Sequence, residues 1–237
     1  GARGSFLTAN NFAIRPQPGL AATISAARSM SLEIVGEPLF EIRPVAWSAP
    51  DPTEVDALLI GSANVFRHGG PQLDKFRGTP VHAVGRTTAE LAESAGFTVE
   101  RTGTGGLQSL LQTGGGPTSG NWRYLRLSGA ERVPLEVPTG VVIAERIVYE
   151  AAPIAIPPEF ERMLLAGGIV LLHSAAAARH FAGECDRLGI PKSALRLAAL
   201  GPRITEMLEG EWGDIRHAEA PNDAALLALA QDMCQDR

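Results

Sequence analysis

The chain has 237 residues, room for one large domain or two of ordinary size, and its 45% hydrophobic and 20% charged content excludes a disordered chain. A net charge of −5 argues against a general nucleic-acid binder, which carries a basic surplus. No apolar run approaches the ~18 residues of a membrane-spanning helix, so no membrane association is expected.

Taken in chain order, Gly1 to Asn10 lack the charged-then-apolar layout of a secretion signal, and a cytoplasmic protein is expected. Phe12 to Arg15 reads as a short strand, broken by Pro16, Pro18 and Gly19, and Leu20 to Met30 reads as an Ala-rich helix. Leu32–Val35 and Pro38–Ile42 look extended, so the chain opens β-α-β and implies a parallel sheet. The acidic group Asp51, Glu54 and Asp56 reads as a solvated loop and cap before the strand Ala57–Ile60. Val81–Val84 is the next strand, and Thr87 or Thr88 is expected to cap a helix over 89–95 that stops at Gly96. Phe97–Glu100, a helix over Leu107–Gln112, a turn at Gly114–Pro117 and a strand at Tyr124–Leu127 follow. Val141–Tyr149 is β-branched and extended.

The later half returns to the same plan. Ile169–Leu172, a helix Ala175–Leu188 ending at Gly189, Leu197–Leu200, a helix Ile204–Leu208, a strand Asp214–His217 and a closing helix Ala224–Met233 complete it, the last capped by Asn222 or Asp223. The stretch Leu58-Leu59-Ile60-Gly61-Ser62-Ala63 is echoed by Val170-Leu171-Leu172-His173-Ser174-Ala175, each with an Arg five residues after the Ser. Each is followed by a second apolar run that ends in Gly, at Gly85 and at Gly201. A strand–loop–helix unit written twice suggests two similar doubly wound α/β lobes, and two lobes make a cleft. Small residues just after strands, namely Ser62, Gly85, Ser128, Gly129, Ser174 and Gly201, belong to the edge where such sheets bind ligands.

Most other chemistry is weak. Gly103-Thr104-Gly105-Gly106 lacks the Walker lysine and the G-x-G-x-x-G spacing, which leaves a nucleotide-dependent enzyme as a poorly supported alternative. His173 and Ser174 are neighbours on a strand and point to opposite faces, so they do not form a dyad. His82 reads as a core residue. No His or Cys pair has metal-ligand spacing, so no metal is expected, and Cys185 and Cys234 read as separate thiols. Arg supplies nearly all of the 21 basic residues, a bias that a GC-rich genome explains as well as carboxylate binding does. Tyr149 is the more informative position. It lies in the extended Arg146–Glu150 segment between the two repeats, where a phenol can donate a hydrogen bond without carrying charge.

At these residues the chain resembles the uroporphyrinogen-III synthases, from about Phe12 to Leu229. The likeness rests on an ordered series: Arg15-Pro16-Gln17-Pro18-Gly19, Pro38-Leu39-Phe40-Glu41-Ile42, Leu58 to Asn64, and Ala83-Val84-Gly85-Arg86-Thr87-Thr88-Ala89. Gly129 with Arg132, Val148-Tyr149, His173-Ser174, Leu200-Gly201-Pro202 and Pro221 to Leu226 complete it. Thr205 falls one place later than the family's threonine, which puts a direct role for it in doubt.

The resemblance implies a topology of two flavodoxin-like parallel-sheet lobes joined by a two-stranded linker. Residues 1–38 with 157–237 would form a discontinuous domain, 48–144 an inserted one, and 39–47 and 145–156 the crossings, acting as a hinge. It implies a reaction without metal or cofactor. The linear tetrapyrrole hydroxymethylbilane loses water, its last pyrrole ring inverts through a spiro intermediate, and the macrocycle closes. Tyr149 is the implied acid. Arg15, Ser62, Ala63, Gly85, Arg86, Thr87, Thr88, Ser128, Gly129, Arg132, Ser174 and Gly201 are the implied substrate-binding positions. A monomer is expected. The competing reading is a cytosolic two-lobed small-molecule binding or sensory protein without catalysis.

Overall fold

The computed structural model describes residues 10–113 and 121–236. The expected turn at Gly114–Pro117 lies outside the described residues. The chain divides into two compact units, Gly1–Glu41 with Ala152–Arg237 (unit 1) and Ile42–Ala151 (unit 2). In chain order the elements begin with β1 (Asn11–Ala13), α1 (Gly19–Ser29), β2 (Val35–Gly36) and β3 (Phe40–Pro44). Unit 2 continues with β4 (Ala57–Ile60), α2 (Asn64–His68), β5 (Val81–Val84), α3 (Arg86–Ser94), β6 (Val99–Gly103), α4 (Leu107–Gln112), β7 (Trp122–Gly129) and β8 (Val141–Pro153). The chain then completes unit 1 with α5 (Pro158–Leu165), β9 (Gly168–Leu172), α6 (Ala175–Leu188), β10 (Leu195–Ala199), α7 (Pro202–Thr205), β11 (Asp214–His217) and α8 (Asp223–Gln235).

In unit 1 the strand order is β2-β1-β9-β10-β11, all parallel. Ile169 to Leu172 are fully buried because helices cover both faces of the sheet, which is why β9 is a continuous apolar run. One face packs Phe12, Ile14, Phe160, Leu164 and Phe181 together. The other packs Ala27, Ile169, Leu171, Leu226 and Leu227. The long helix α6 has clear ends. Ser174 Oγ accepts from the Ala177 N–H at 3.0 Å, and Gly189 closes it at φ 66°, a conformation that favours a residue without Cβ. Asn222 caps α8 in the same way, its Oδ1 accepting from Ala225 N–H at 2.9 Å.

Unit 2 has the order β3-β8-β7-β4-β5-β6, with parallel pairing from β8 across to β6. Helices α2 and α3 lie over the face that holds Leu58, Ile60, Val65, Ala92 and Leu125, and α4 covers the opposite face with Leu59, Leu110 and Tyr124. The two sheets share the doubly wound plan but not the strand order. With the edge strand β3 left out and the remaining strands numbered as they come within each unit, the orders are 2-1-3-4-5 and 3-2-1-4-5. Each has a switch point where the direction of winding reverses: between β1 and β9 in unit 1, and between β4 and β7 in unit 2.

β7 and β8 are parallel neighbours, yet no helix joins them. Residues 130–140 run back as an extended strap instead, ~3.3 Å per residue being enough to retrace the strand. The strap is tied down. Leu135 packs beside Leu110 and Tyr124, Gln108 Nε2–H donates to Glu136 O at 3.0 Å, and Glu136 N–H donates to Gln108 Oε1 at 2.8 Å.

Several local expectations shift. Neither Thr87 nor Thr88 caps α3. The helix starts at Arg86 behind Gly85, whose φ of 86° turns the chain early, and Thr88 is buried in the first turn. The helix expected at Ile204–Leu208 is α7, which begins at Pro202 because proline's fixed φ starts a helix readily. The repeat holds for strand and loop but not for the helix: α6 has 14 residues, α2 has 5 and stops at Gly69. Helix α5, opened by Pro157 and Pro158 with Glu159 and Glu161 in its first turn, escaped the periodicity reading.

One buried carboxylate stitches unit 1. Glu184 on α6 accepts from Arg187 Nη2–H and from the backbone N–H of Ile156, at 2.7 and 2.8 Å. The Arg187 hydrogen bonds outweigh burial and lower the Glu184 carboxyl to about 2. Its stabilisation is therefore complete above the ordinary carboxylate range and is lost as pH falls through about 2. Because the Arg187 side chain is 52% exposed and screened, the loss should be at most about 1 kcal/mol. Denaturant titrations at pH 7 and pH 2.5 check this: Glu184→Gln should be less stable than wild type at pH 7, and the gap should shrink at pH 2.5.

Candidate active site

In unit 2 the carboxyl ends of β4, β5 and β7 open into a cavity of about 630 Å³ under the strap. Gly61, Ser62, Val84, Gly105–Gln108, Arg126–Gly129, residues 131–136 and Tyr149 line it. This is the switch point of the unit 2 sheet, where the loops after β4 and β7 part and leave room for a ligand. Along β7 the period of two puts Tyr124, Arg126 and Ser128 on one face, and Leu125 and Leu127 in the core on the other. Tyr124 is packed into the core, while Arg126 and Ser128 reach the cavity.

Arg126 is the buried cation of the site, with a side chain only 4% exposed. Its Nη1–H donates to Glu145 Oε1 at 3.0 Å, and its Nη2–H donates to Val133 O on the strap at 2.8 Å. Glu145 stands directly across the β7–β8 pair, and its other oxygen accepts from Arg132 Nη2–H at 3.2 Å. Two guanidiniums thus share one carboxylate. Arg126 Nε and Ser128 Oγ are buried without a hydrogen-bond partner among the described residues.

Tyr149 sits on β8 beside Gly129, across a register shift that pairs the two residues. A Cβ on Gly129 would lie 2.5 Å from Tyr149 Cε2 and 3.1 Å from its hydroxyl, so the ring occupies the space a side chain would need. His68 lies 6.4 Å away between ring centroids, and burial, helped by Arg67, holds it below the usual histidine range. Gly129→Ala should push the Tyr149 ring aside and lower turnover ~10–100-fold, the loss typical of displaced acid assistance. Steady-state kinetics with a melting curve check this, since the backbone at Gly129 needs no positive φ and should keep the variant folded.

The implied positions divide clearly. Ser62, Ser128, Gly129, Arg132 and Tyr149 come together around the unit 2 cavity. Ala63, Gly85, Arg86, Thr87 and Thr88 belong to the same unit but do not line it. Arg86 is solvated and bonded to Glu90 at 2.8 Å. Thr88 is buried in α3. Arg15, Ser174 and Gly201 lie in unit 1, at the carboxyl ends of β1, β9 and β10.

At the unit 1 switch point Arg15 joins a polar cluster. Its Nη1–H donates to Thr23 Oγ1 at 3.2 Å and approaches Asp223 Oδ2 at 3.5 Å. Asp223 also accepts from Thr23 and from His173 Nε2–H, both at 2.7 Å. Burial works to raise the Asp223 carboxyl, but these hydrogen bonds and the Arg15 charge together hold it below the usual range. Burial and Arg15 depress His173. His173 and Ser174 do not meet: one bonds Asp223 and the other caps α6.

His82 is a satisfied core residue, donating from Nε2 to Glu100 at 2.6 Å and accepting from the Tyr124 hydroxyl at 2.7 Å. Thr205 Oγ1–H donates to Pro202 O within α7. Cys185 and Cys234 are free thiols, and burial pushes the Cys185 thiol up to about 12. Among the described residues no group of His, Cys, Asp and Glu could hold a metal ion, and no helix is long and apolar enough to cross a membrane.

Arg126 and Glu145 were missed in the sequence reading. The available signal was an arginine inside the apolar strand Tyr124-Leu125-Arg126-Leu127, with an acid in the following strand.

The family model of uroporphyrinogen-III synthase HemD matches residues 21–228. The chain belongs to the uroporphyrinogen-III synthase family. This is an enzyme family of tetrapyrrole biosynthesis, made up of cyclising lyases, and membership supports the catalytic reading over a binding or sensory protein. No curated protein sequence matches the chain. Among solved structures it is similar to the uroporphyrinogen-III synthetase of Helicobacter pylori, with 17% identity, TM-score 0.59, and coverage of 95% of this chain and 99% of that one. A mutant uroporphyrinogen III synthase from the extremely thermophilic bacterium Thermus thermophilus gives 15% identity, TM-score 0.47, and coverage of 97% and 100%. The Helicobacter likeness shows the two-lobed α/β fold of the uroporphyrinogen-III synthase structures.

Proposed function

We propose that the unit 2 cavity is where this synthase handles hydroxymethylbilane, with Tyr149 assisting departure of the hydroxyl group. The single observation that carries this is the convergence of Ser62, Ser128, Gly129, Arg132 and Tyr149 on one cavity at a sheet switch point. The pyrrole is electron-rich and expels hydroxide once that group accepts a hydrogen bond, so a phenol is acid enough. A carboxylic acid or metal is not required for that step.

Selectivity is the harder task, because uncatalysed closure gives the uninverted type I isomer. Each ~1.4 kcal/mol between competing barriers changes the product ratio tenfold, which two or three oriented hydrogen bonds supply. The hydroxyl of Ser62 and the cations Arg126 and Arg132 are groups that hold a pose rather than groups that make bonds. At unit 1, Arg15 and the loops at Ser174 and Gly201 are proposed as further substrate contacts. The reading includes a monomer acting in the cytoplasm. The test is to mix the purified protein with fresh hydroxymethylbilane, oxidise, and separate the isomers. Type III product is expected, and type I alone would refute the proposal.

A further inference from the structure

Two buried donors at the unit 2 cavity, Arg126 Nε–H and Ser128 Oγ–H, have no hydrogen-bond partner among the described residues. Arg126 spends both terminal nitrogens on the protein, one on Glu145 and one on the strap carbonyl of Val133. Its guanidinium is thereby locked, and the Nε–H edge is left without a partner. Two residues along the same face of β7, Ser128 Oγ is buried and unpartnered as well. Same-face neighbours on a strand stand about 6.6 Å apart, a gap that the long Arg side chain spans. An unmet buried donor costs about 1–3 kcal/mol, so a fold that keeps two of them beside a cavity favours whatever ligand supplies acceptors there.

Charge narrows the ligand. Glu145 neutralises one of the two guanidiniums it bridges, so the Arg126–Glu145–Arg132 group keeps one positive charge. The strap residues Glu131 and Glu136 also line the cavity and bring negative charge, but both are exposed to solvent. Long-range attraction for an anion is therefore weak, and selection has to come from short buried hydrogen bonds. A guanidinium N–H that can only donate and a hydroxyl free to donate, beside a sealed cation, fit a carboxylate better than an amine or an apolar group.

We propose that Arg126 Nε–H and Ser128 Oγ–H form a carboxylate-recognition pair that anchors one acidic side chain of the tetrapyrrole, making Arg126 a specificity-determining residue. This rests on the reading of the cavity as the substrate site. The anchor is pre-organised: Glu145 and Val133 fix the guanidinium before the ligand arrives, so little side-chain entropy is lost on binding. Arg132 on the strap, whose side chain is more exposed than that of Arg126, shares Glu145 with it and makes a weaker contribution.

The probe is uroporphyrin III, the stable oxidised form of the product, titrated by fluorescence quenching into wild type, Ser128→Ala and Arg126→Lys. Lysine keeps the charge beside Glu145 but lacks the Nε–H edge. Each variant should bind about 10-fold more weakly or worse, the size expected for a buried hydrogen bond to a charged group. KM for hydroxymethylbilane should rise with kcat much less changed. Affinity unchanged in both folded variants, or no uroporphyrin binding by wild type, overturns the pair. If Arg126→Lys fails to fold, Ser128→Ala decides alone. The isomer assay separates the two claims. Type III product with unaltered variant affinity removes the pair and keeps the synthase assignment of the cavity. Type I product with binding that depends on Ser128 and Arg126 does the reverse.

Discussion

Replacing Tyr149 with Phe is expected to lower kcat ~10–100-fold while leaving the melting temperature close to wild type. The substitution removes one hydroxyl from a half-buried ring and keeps the ring itself, which packs over Gly129 and lies near His68. Among the described residues the Tyr149 hydroxyl has no hydrogen-bond partner, so little fold energy depends on it. KM should change little, because a hydrogen bond that strengthens as the leaving group departs acts on the transition state rather than on binding. A double-mutant cycle with Gly129→Ala sharpens the test. If Gly129 matters only by making room for the phenol, Gly129→Ala should add little once the hydroxyl is gone. Full activity in Tyr149→Phe would remove the residue from the chemistry. Additive losses in the cycle would give Gly129 a separate task.

The largest loss of stability is expected from Phe12→Ala, ~3–5 kcal/mol. Phe12 is fully buried on β1, the strand flanked by β2 and β9. Its ring meets Phe160 edge-on at 5.4 Å and 78°, and Gly168 leaves the space beside it. The cavity left by truncation would lie between the sheet and helices α5 and α6, where Phe160, Leu164 and Phe181 are already packed among other buried side chains and have little freedom to fill it. Against a total stability of roughly 5–15 kcal/mol this is a large fraction. Trp212, stacked on Phe181 in the same core, reports on unit 1 if Trp47 and Trp122 are replaced by Phe. Guanidinium titration followed at Trp212 should show the midpoint falling sharply. A change under about 1 kcal/mol would mean that the core relaxes around the missing ring.

Local pattern along the chain was enough for the features that depend on near neighbours. Apolar runs broken by Gly or Ser placed β4, β5, β9 and β10 within a residue or two, because a strand buried on both faces has to be continuous in hydrophobicity. Gly189 and Asn222 marked one end each of α6 and α8, since caps are read from neighbours in the chain. The ordered motifs also pointed to the family, and Ser62, Ser128 and Gly129 carry a local sign, a small residue at the end of a strand. Strand order was not legible, because the same β-α alternation is compatible with both 2-1-3-4-5 and 3-2-1-4-5. The strap that replaces a crossover helix, the Arg126–Glu145–Arg132 bridge and the contact between Gly129 and the Tyr149 ring were settled only by tertiary structure. Each joins residues from different strands or loops, and their distances follow from pairing register, which no local pattern encodes.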